Sequence, residues 1–253
     1  MGVKRALTRR RRRVYNHGME AYEALAGVRF KAQRSTPGLI ADAIRGGILD
    51  GTIVAGQQLV QDDLARAFGT SRIPVREALR QLESDGIIAY HPHRGASVAL
   101  LTVKDVKEIY EMRAPLERLA LRLAVPNLER PHITAAARAI DDSTGSSSAV
   151  SFGRLNWRFH QALYEAANRP RLLRTIRNLY IHASRWPPFA REQRKMFAAI
   201  VGEHRSILRA CEKREASAAV KALERHLAES ERLLISVIET SRENKSAKNK
   251  RSR

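Results

Sequence analysis

The sequence predicts a mainly α-helical protein with one small β-hairpin near residue 90. Apolar residues recur every three or four positions along most of the chain, the pattern of helices that bury one face. Strand-like runs occur only at residues 87–90 and 96–100, and the intervening His-Pro-His-Arg-Gly is typical of a turn. The 253 residues, 43% of them hydrophobic, are enough for two domains with buried cores.

The formal net charge of +20 points to a polyanionic partner, most simply nucleic acid. Both ends of the chain are especially basic: residues 1–36 hold ten Lys or Arg and two Glu, and residues 240–253 hold six and one. We interpret residues 1–36 as a disordered basic leader and residues 241–253 as a basic tail. The run Arg9–Arg13 could tether the protein to DNA phosphates or to an acidic membrane, or it could be a solvated arm.

Two further features narrow the class of protein. No run of about 18 apolar residues occurs, so the sequence predicts no membrane span. The single Cys211 excludes an internal disulfide and fits a reducing compartment. We therefore expect a cytoplasmic protein.

Residues 37–103 read as a winged helix-turn-helix DNA-binding domain. Ile40, Ile44 and Ile48 share one face of a first helix, and a second helix is predicted over residues 61–68. Gly69-Thr70 forms the turn, and Ser71 is placed to cap a third helix that ends at Asp85-Gly86. The hairpin that follows would be the wing.

The third helix has the two faces that a DNA-reading helix needs. Val75, Leu79 and Leu82 share an apolar face, while arginines form a stripe beside it. Arginine can bind guanine O6 and N7 bidentately, or phosphates, and a helix N-terminus also favours a phosphate. Any one of these arginines could be an ordinary surface residue, but the whole arrangement predicts DNA binding. The residues we expect to contact DNA, including two at the wing tip that suit a narrow minor groove, are Thr70, Ser71, Arg72, Arg76, Arg80, Arg94 and Gly95.

Residues 104–240 predict an all-α helical-bundle domain. Pro115 should kink or split its first helix, predicted over 104–124. A second helix should continue through Ile140, and residues 141–148 (DDSTGSSS) read as a loop. The later helices are predicted over residues 150–167, 170–184, 191–212 and 215–239.

Three histidines on three of these helices point to a metal. His204 and His226 lie on apolar faces, and His160 lies at the edge of one, one turn after Asn156. Three inward-facing imidazoles could meet around a divalent ion such as Zn or Ni. Each histidine could equally be a hydrogen-bonded core residue, so periodicity leaves both readings open.

Arg113 and Glu117 fall on the same face as apolar residues of the helix at 104–124, so both should point inward. A buried arginine needs an anionic partner. Either Glu117 supplies it, one turn away, or a ligand carboxylate does. We take Arg113 and Glu117 as the candidate effector-binding residues.

The N-terminal half resembles the DNA-binding domain of GntR-family bacterial transcription regulators. The resemblance rests on TSRIPVREALRQLESDG and HRGASV, within residues 38–101. It implies that Arg72 and Arg76 contact operator bases or phosphates and that Gly95 enters the minor groove. The chain departs from the family at Gln61-Asp62-Asp63, where members commonly carry a Glu-containing segment or a DNA-contacting Arg. Asp62 should not touch a phosphate.

The helical half resembles the FadR-type (FCD) ligand-binding domain of the same family. The matching segments are IYEMRAPLERLALRLA, LNWRFHQALYEAANRPRLL and EHRSILRACEKREASAAVKALERHL. The resemblance implies six or seven helices, a homodimer, and an organic-acid effector in a central pocket. In many members an Asp and three His hold a metal there. The His positions fall on His160, His204 and His226, and the Asp position falls on Asn156, whose neutral oxygen should weaken metal binding.

These observations predict a sequence-specific transcription regulator, most simply a repressor, acting as a homodimer on a near-palindromic double-stranded operator in a bacterial nucleoid. A small carboxylate would change its DNA binding. Two alternatives remain open from the sequence: a metal-dependent hydrolytic enzyme that uses the histidines, and a nucleic-acid-binding protein that is indifferent to sequence and driven by its basic ends.

Overall fold

The computed structural model of this chain describes residues 36–92, 94–144, 149–185 and 193–251. The basic leader and part of the predicted loop after Asp141 lie outside the described residues. The chain divides into two compact units, with the division between Ala99 and Leu100 and with Leu49–Gly51 grouped with the second unit.

The first unit is a winged helix-turn-helix, as the sequence predicts. Its helices are α1 (Thr36–Leu49), α2 (Gln61–Ala67) and α3 (Arg72–Ser84), and its strands are β1 (Gln58–Leu59), β2 (Ile88–His91) and β3 (Gly95–Val98). Its core is aliphatic and almost fully buried, formed mainly by Ile40, Ile44, Ile48, Leu64, Leu79 and Leu82. Burial of these large side chains holds the three helices together.

The three strands form one antiparallel sheet in the order β1-β3-β2. In the hairpin Ile88 pairs with Val98 and His91 pairs with Gly95. The sequence analysis missed β1, because a strand of two residues is too short to show an alternating pattern. Its pairing with β3 makes β3 the central strand of the sheet, while β2 of the wing stays at the edge.

The second unit is all-helical in its described residues. Its helices are α4 (Val103–Ala124), α5 (Arg130–Thr144), α6 (Ala149–Tyr164), α7 (Pro170–Ala183), α8 (Gln193–Glu212) and α9 (Ala216–Arg251), with single 3₁₀ turns at Val125–Asn127 and Glu165–Ala167. A capping box starts α4, since Thr102 and Asp105 each bind the other's backbone N–H. Helix α4 packs against α7 and α9, and α6 packs against α5.

Three sequence predictions about this unit need correction. Helix α4 runs through Pro115 as one helix, so of the two expected outcomes, a kink or a split, the split does not occur. Proline inside a helix is destabilising, and here the loss is offset because the inner face of α4 is buried. The buried residues of that face include Val106, Ile109, Ala120 and Ala124. The predicted loop is helical up to Thr144, and α9 continues to Arg251, past residue 240 where we expected the domain to end. Residues 241–251 hold three Lys and two Arg, which are good helix formers even without an apolar face.

A helix that crosses a bilayer must be both long and apolar, and no helix among the described residues meets that requirement.

Candidate functional site

The face of α3 that turns away from its own domain is polar and strongly cationic. Val75, Ala78, Leu79 and Leu82 are completely buried and fix the helix on the domain. Arg72, Arg76 and Arg80 are all exposed. The structure thus separates the two faces as the sequence predicts, leaving three guanidinium groups accessible to a ligand.

The start of α3 differs from the prediction in one respect. Ser71 occupies the N-cap position with an extended backbone, but its side chain makes no capping hydrogen bond. We expected Ser71 to cap the helix. The preceding Thr70 is half-buried, and its N–H donates to the carbonyl of Ala65 at 2.9 Å, which closes the turn between α2 and α3.

Arg72 forms an ion pair with Asp62 of α2, which the sequence analysis did not foresee. Both side chains are largely exposed, so the pair is a surface contact of small net strength. The pair matters more for DNA binding than for stability, because Asp62 holds the first arginine of the stripe and places a negative charge beside it. The acidic pattern Gln61-Asp62-Asp63 was the only sequence signal for this contact.

The wing tip is built on a left-handed glycine. Gly95 has φ +74°, a conformation that favours glycine, and it is exposed together with Arg94. The side-chain amide of Gln58 donates to the Arg94 carbonyl at 3.4 Å, and His91 Nε2 lies 3.0 Å from Ser97 Oγ. These contacts attach the tip to the sheet while leaving the Arg94 side chain exposed.

In the helical unit His160, His204 and His226 come together in the interior. All three are buried, their ring centroids lie 4.7–5.1 Å apart, and one ligand atom from each lies within 4.8 Å of the others. In a tetrahedral zinc site with Zn–N bonds of about 2.0–2.1 Å, two ligand nitrogens lie about 3.4 Å apart, so the atoms need to close by up to about 1.4 Å to share one ion. The sequence prediction that the trio meets is confirmed in this geometry.

Burial keeps His160 and His204 in the neutral form that metal binding requires. Burial, followed by the neighbouring His204 and His226, lowers the pKa of His160 well below its usual 6.5. Burial and His226 lower the pKa of His204 in the same way. Neutral imidazoles keep a lone pair for a cation.

Two hydrogen-bond partners orient the rings, and the sequence analysis missed both of them. Tyr164 donates its O–H to Glu117 Oε2 at 2.7 Å, so its oxygen accepts from His160 Nδ1 at 3.1 Å. His226 Nδ1 lies 2.8 Å from Glu203 Oε2, which can only accept. The His160 ring therefore carries its proton on Nδ1 and presents the lone pair on Nε2, the arrangement found behind metal-ligating histidines. In His226 the Nδ1 proton is held by Glu203.

Three buried acceptors in this region have no hydrogen-bond partner. They are Asn156 Oδ1, His160 Nε2 and His204 Nε2. Buried polar atoms are normally paired, and an unpaired one costs about 1–3 kcal/mol. Asn156 lies one turn before His160 on α6, so an oxygen and imidazole nitrogens are available together. This donor set fits a borderline divalent cation.

Arg113 and Glu117 satisfy each other, which was one of the two alternatives left open by the sequence. Arg113 Nε donates to Glu117 Oε1 at 2.7 Å, with the two side chains 3% and 0% exposed. The guanidinium also lies over the rings of Tyr110 and Tyr180, at 4.6 and 3.9 Å from their centroids. Burial is the largest single effect and works against the charged form of Arg113, but the Glu117 carboxylate, Tyr180 and Tyr110 together outweigh it and raise the pKa of Arg113.

The pair is linked to the histidine cluster through Tyr164, because Glu117 accepts from both Arg113 and Tyr164. The buried Tyr180 hydroxyl has no hydrogen bond of good geometry, although the Arg113 side chain interacts with it, and its ring lies 5.4 Å from that of His160. Tyr180 therefore places a further polar atom beside the cluster.

The chain is similar to known families over both units. Residues 38–98 match the family described as bacterial regulatory proteins, gntR family, and residues 108–229 match the FCD domain. The HTH-type transcriptional regulator YdhC of Bacillus subtilis is 30% identical over 85% of this chain and 99% of its own length. A probable D-xylose utilization operon transcriptional repressor of Paenarthrobacter nicotinovorans is 29% identical over 75% of this chain and 84% of its own.

Among solved structures the fold is similar to that of McbR/YncC from Escherichia coli. The TM-score is 0.69, with 20% sequence identity, over 81% of this chain and 99% of that one. At this identity the likeness establishes the fold alone.

Proposed function

Because this chain belongs to the GntR family of bacterial transcription regulators, with an FCD domain behind its DNA-binding domain, we propose that it is a repressor whose operator binding is relieved by a small carboxylate. The family assignment makes it a DNA-binding regulator and not an enzyme. We further propose that the regulator acts as a homodimer on a near-palindromic operator.

The exposed arginine stripe on α3 is the observation that supports operator reading. A helix buried on one side by four apolar residues can present the other side to the major groove without unfolding. Arg72 and Arg76 lie in its first turns, which contact base edges in helix-turn-helix complexes. Arg94 and Gly95 at the wing tip would lie along the adjacent minor groove. In a homodimer two such helices would occupy successive major grooves.

The DNA-reading part is tested by selecting bound duplexes from a random pool and measuring affinity for the enriched site. Arg76→Ala should lose about 1–3 kcal/mol on that site and relax preference at one base pair. Arg118→Ala, an exposed arginine of α4, is the matched control, since it removes the same charge from the helical unit. Equal affinity for every duplex would support the sequence-indifferent alternative, and so would loss of DNA binding when residues 1–36 and 241–253 are removed.

The unpaired acceptors around the histidine cluster support a divalent metal, Zn or Ni. His160, His204 and His226 would bind through imidazole nitrogens and Asn156 through its amide oxygen. When bound, the ion would supply a positive charge that attracts a carboxylate. The residues of this chain would position that ligand, with Arg113 and Tyr180 on the α4 and α7 side of the cluster. Asn156 would supply a neutral oxygen and no negative charge, so the site should bind a divalent ion more weakly than a site with Asp at this position.

Metal binding is tested by chelation, re-addition of Zn²⁺ or Ni²⁺, and measurement of metal content and melting temperature. We expect about one ion per chain, loss of the ion in His204→Ala, and retention in His132→Ala, which removes a histidine outside the cluster. Asn156→Asp should bind the ion more tightly. No bound ion and no thermal shift in the unaltered protein would refute the metal part and leave the DNA-binding part standing.

The effector is tested by screening small carboxylates for release of the selected operator. A ligand can release DNA only if it binds the DNA-free form more tightly than the DNA-bound form. We therefore expect operator DNA to weaken binding of the same carboxylate by the same factor, measured by calorimetry. A carboxylate that binds equally well with and without DNA is not the effector.

A further inference from the structure

The most exposed large apolar side chain among those described for the DNA-binding unit lies in the middle of its cationic face. Ile73, the second residue of α3, is 59% exposed. At about 100° per residue it lies roughly 160° around the helix from the buried Val75. Ile73 therefore points away from the core that anchors the helix.

The position of Ile73 beside the arginine stripe is what suggests a function for this exposed side chain. A single exposed apolar residue is ordinary on a protein surface, so exposure alone carries no function. However, Arg76 and Arg80 follow at i+3 and i+7, which places the three side chains along one stripe of the helix. If Arg76 reaches a base edge, Ile73 must enter the same groove one turn nearer the helix N-terminus.

The major groove offers one apolar group, the C5 methyl of thymine. Resting on the proposed function, we propose that Ile73 is a specificity-determining residue that contacts a thymine methyl beside the base pair read by Arg76. The side chain suits this role, because a β-branched residue in a helix has essentially one χ1 rotamer and loses little freedom on binding. A cationic stripe fixes position and reads guanine, while the isoleucine adds selection for thymine.

The test is a uracil scan of the selected operator. Deoxyuridine differs from thymidine only by the missing methyl, so each thymidine is replaced in turn and the dissociation constant is measured by fluorescence anisotropy. The full-length protein should lose about threefold to fivefold in affinity at one position of each half-site, the effect of one buried methyl group. In Ile73→Ala the same replacement should have no effect.

Met112→Ala is the matched control, since Met112 is 42% exposed on α4 of the helical unit. It should keep the full uracil penalty. Because Ile73 is exposed, Ile73→Ala should melt at an unchanged temperature, which shows that the variant is folded.

The outcomes separate this inference from the proposed function. Selective binding of the operator with no uracil penalty at any position would overturn the role of Ile73 and leave operator reading intact. A penalty that persists in Ile73→Ala would also overturn it, since another residue then contacts the methyl. Equal binding of all duplexes would remove both proposals.

Discussion

Replacing Glu117 by glutamine tests whether the buried ion pair of α4 stabilises the helical unit. Glutamine keeps the shape and one neutral acceptor but removes the charge that Arg113 faces at 2.7 Å. Breaking a buried pair by removing one partner costs about 3–5 kcal/mol. A neutral acceptor is about half as strong as a carboxylate, and the rings of Tyr110 and Tyr180 still contact the cation. We therefore expect the lower end, a loss of about 3 kcal/mol.

The measurement is denaturant unfolding followed by tryptophan fluorescence. Neither tryptophan lies within residues 1–99, so the signal does not come from the DNA-binding unit, and Trp157 of α6, which is 5% exposed, reports unfolding of the helical unit. Glu224→Gln is the matched control: it breaks the exposed pair with Arg118 on the same helix α4 and should cost about 0.2–1 kcal/mol at most.

A loss below about 1 kcal/mol in Glu117→Gln, equal to the control, would refute the argument that the Arg113 charge depends on Glu117. Replacing both Arg113 and Glu117 by methionine gives a further check. Substituting a buried pair by apolar groups of similar volume is often close to neutral. The double variant should therefore be more stable than Glu117→Gln, and a still lower stability would mean that packing and not charge explains the loss.

Three further outcomes follow from the described contacts. In chelated protein His160 and His204 are neutral when folded but take up protons near pH 6.5 when unfolded. The free energy of unfolding should therefore fall as pH drops below about 6.5, by up to ~1.4 kcal/mol per pH unit for each histidine. Thermal unfolding at pH 7.5, 6.5 and 5.5 measures this decrease. A melting temperature that does not change with pH contradicts the lowered pKa values. Asp62→Asn should release Arg72 and increase the affinity for DNA about twofold to fivefold at low salt, and the increase should disappear at high salt. An unchanged affinity would mean that the ion pair does not compete with DNA. Burial raises the pKa of Cys211 to about 12, so a thiol reagent at pH 8 should react with the denatured chain and not with the native one.

The elements that sequence predicted well are those whose apolar residues repeat regularly. Helix α3 was placed within a residue because Val75, Leu79 and Leu82 recur at helical spacing between a turn and Asp85-Gly86. Strand β1 was missed because two residues carry no pattern. The extension of α9 to Arg251 was missed because a polar segment can be helical without an amphipathic face.

In the candidate sites, too, helix periodicity predicted which face a residue lies on, while some of its contacts depended on helix packing. Periodicity could place His160, His204 and His226 on inner faces, and the i,i+4 spacing of His160 and Tyr164 within α6 was a local signal for their contact. Glu203 of α8, however, reaches His226 of α9 only after the two helices pack. Likewise the spacing of Arg113 and Glu117 allowed two partners for the arginine. The hydrogen bond at 2.7 Å between the two buried side chains selected one.

The sequence by itself determined the family, the two kinds of domain, and the faces on which charged and apolar residues lie, because these depend on local spacing along a helix. Only the tertiary structure decided which acceptors stay unpaired beside the histidines, that Asp62 reaches Arg72, and that Ile73 remains uncovered. Those facts depend on contacts between residues of different helices, or on the absence of any helix over a side chain. No local pattern encodes a distance between two elements.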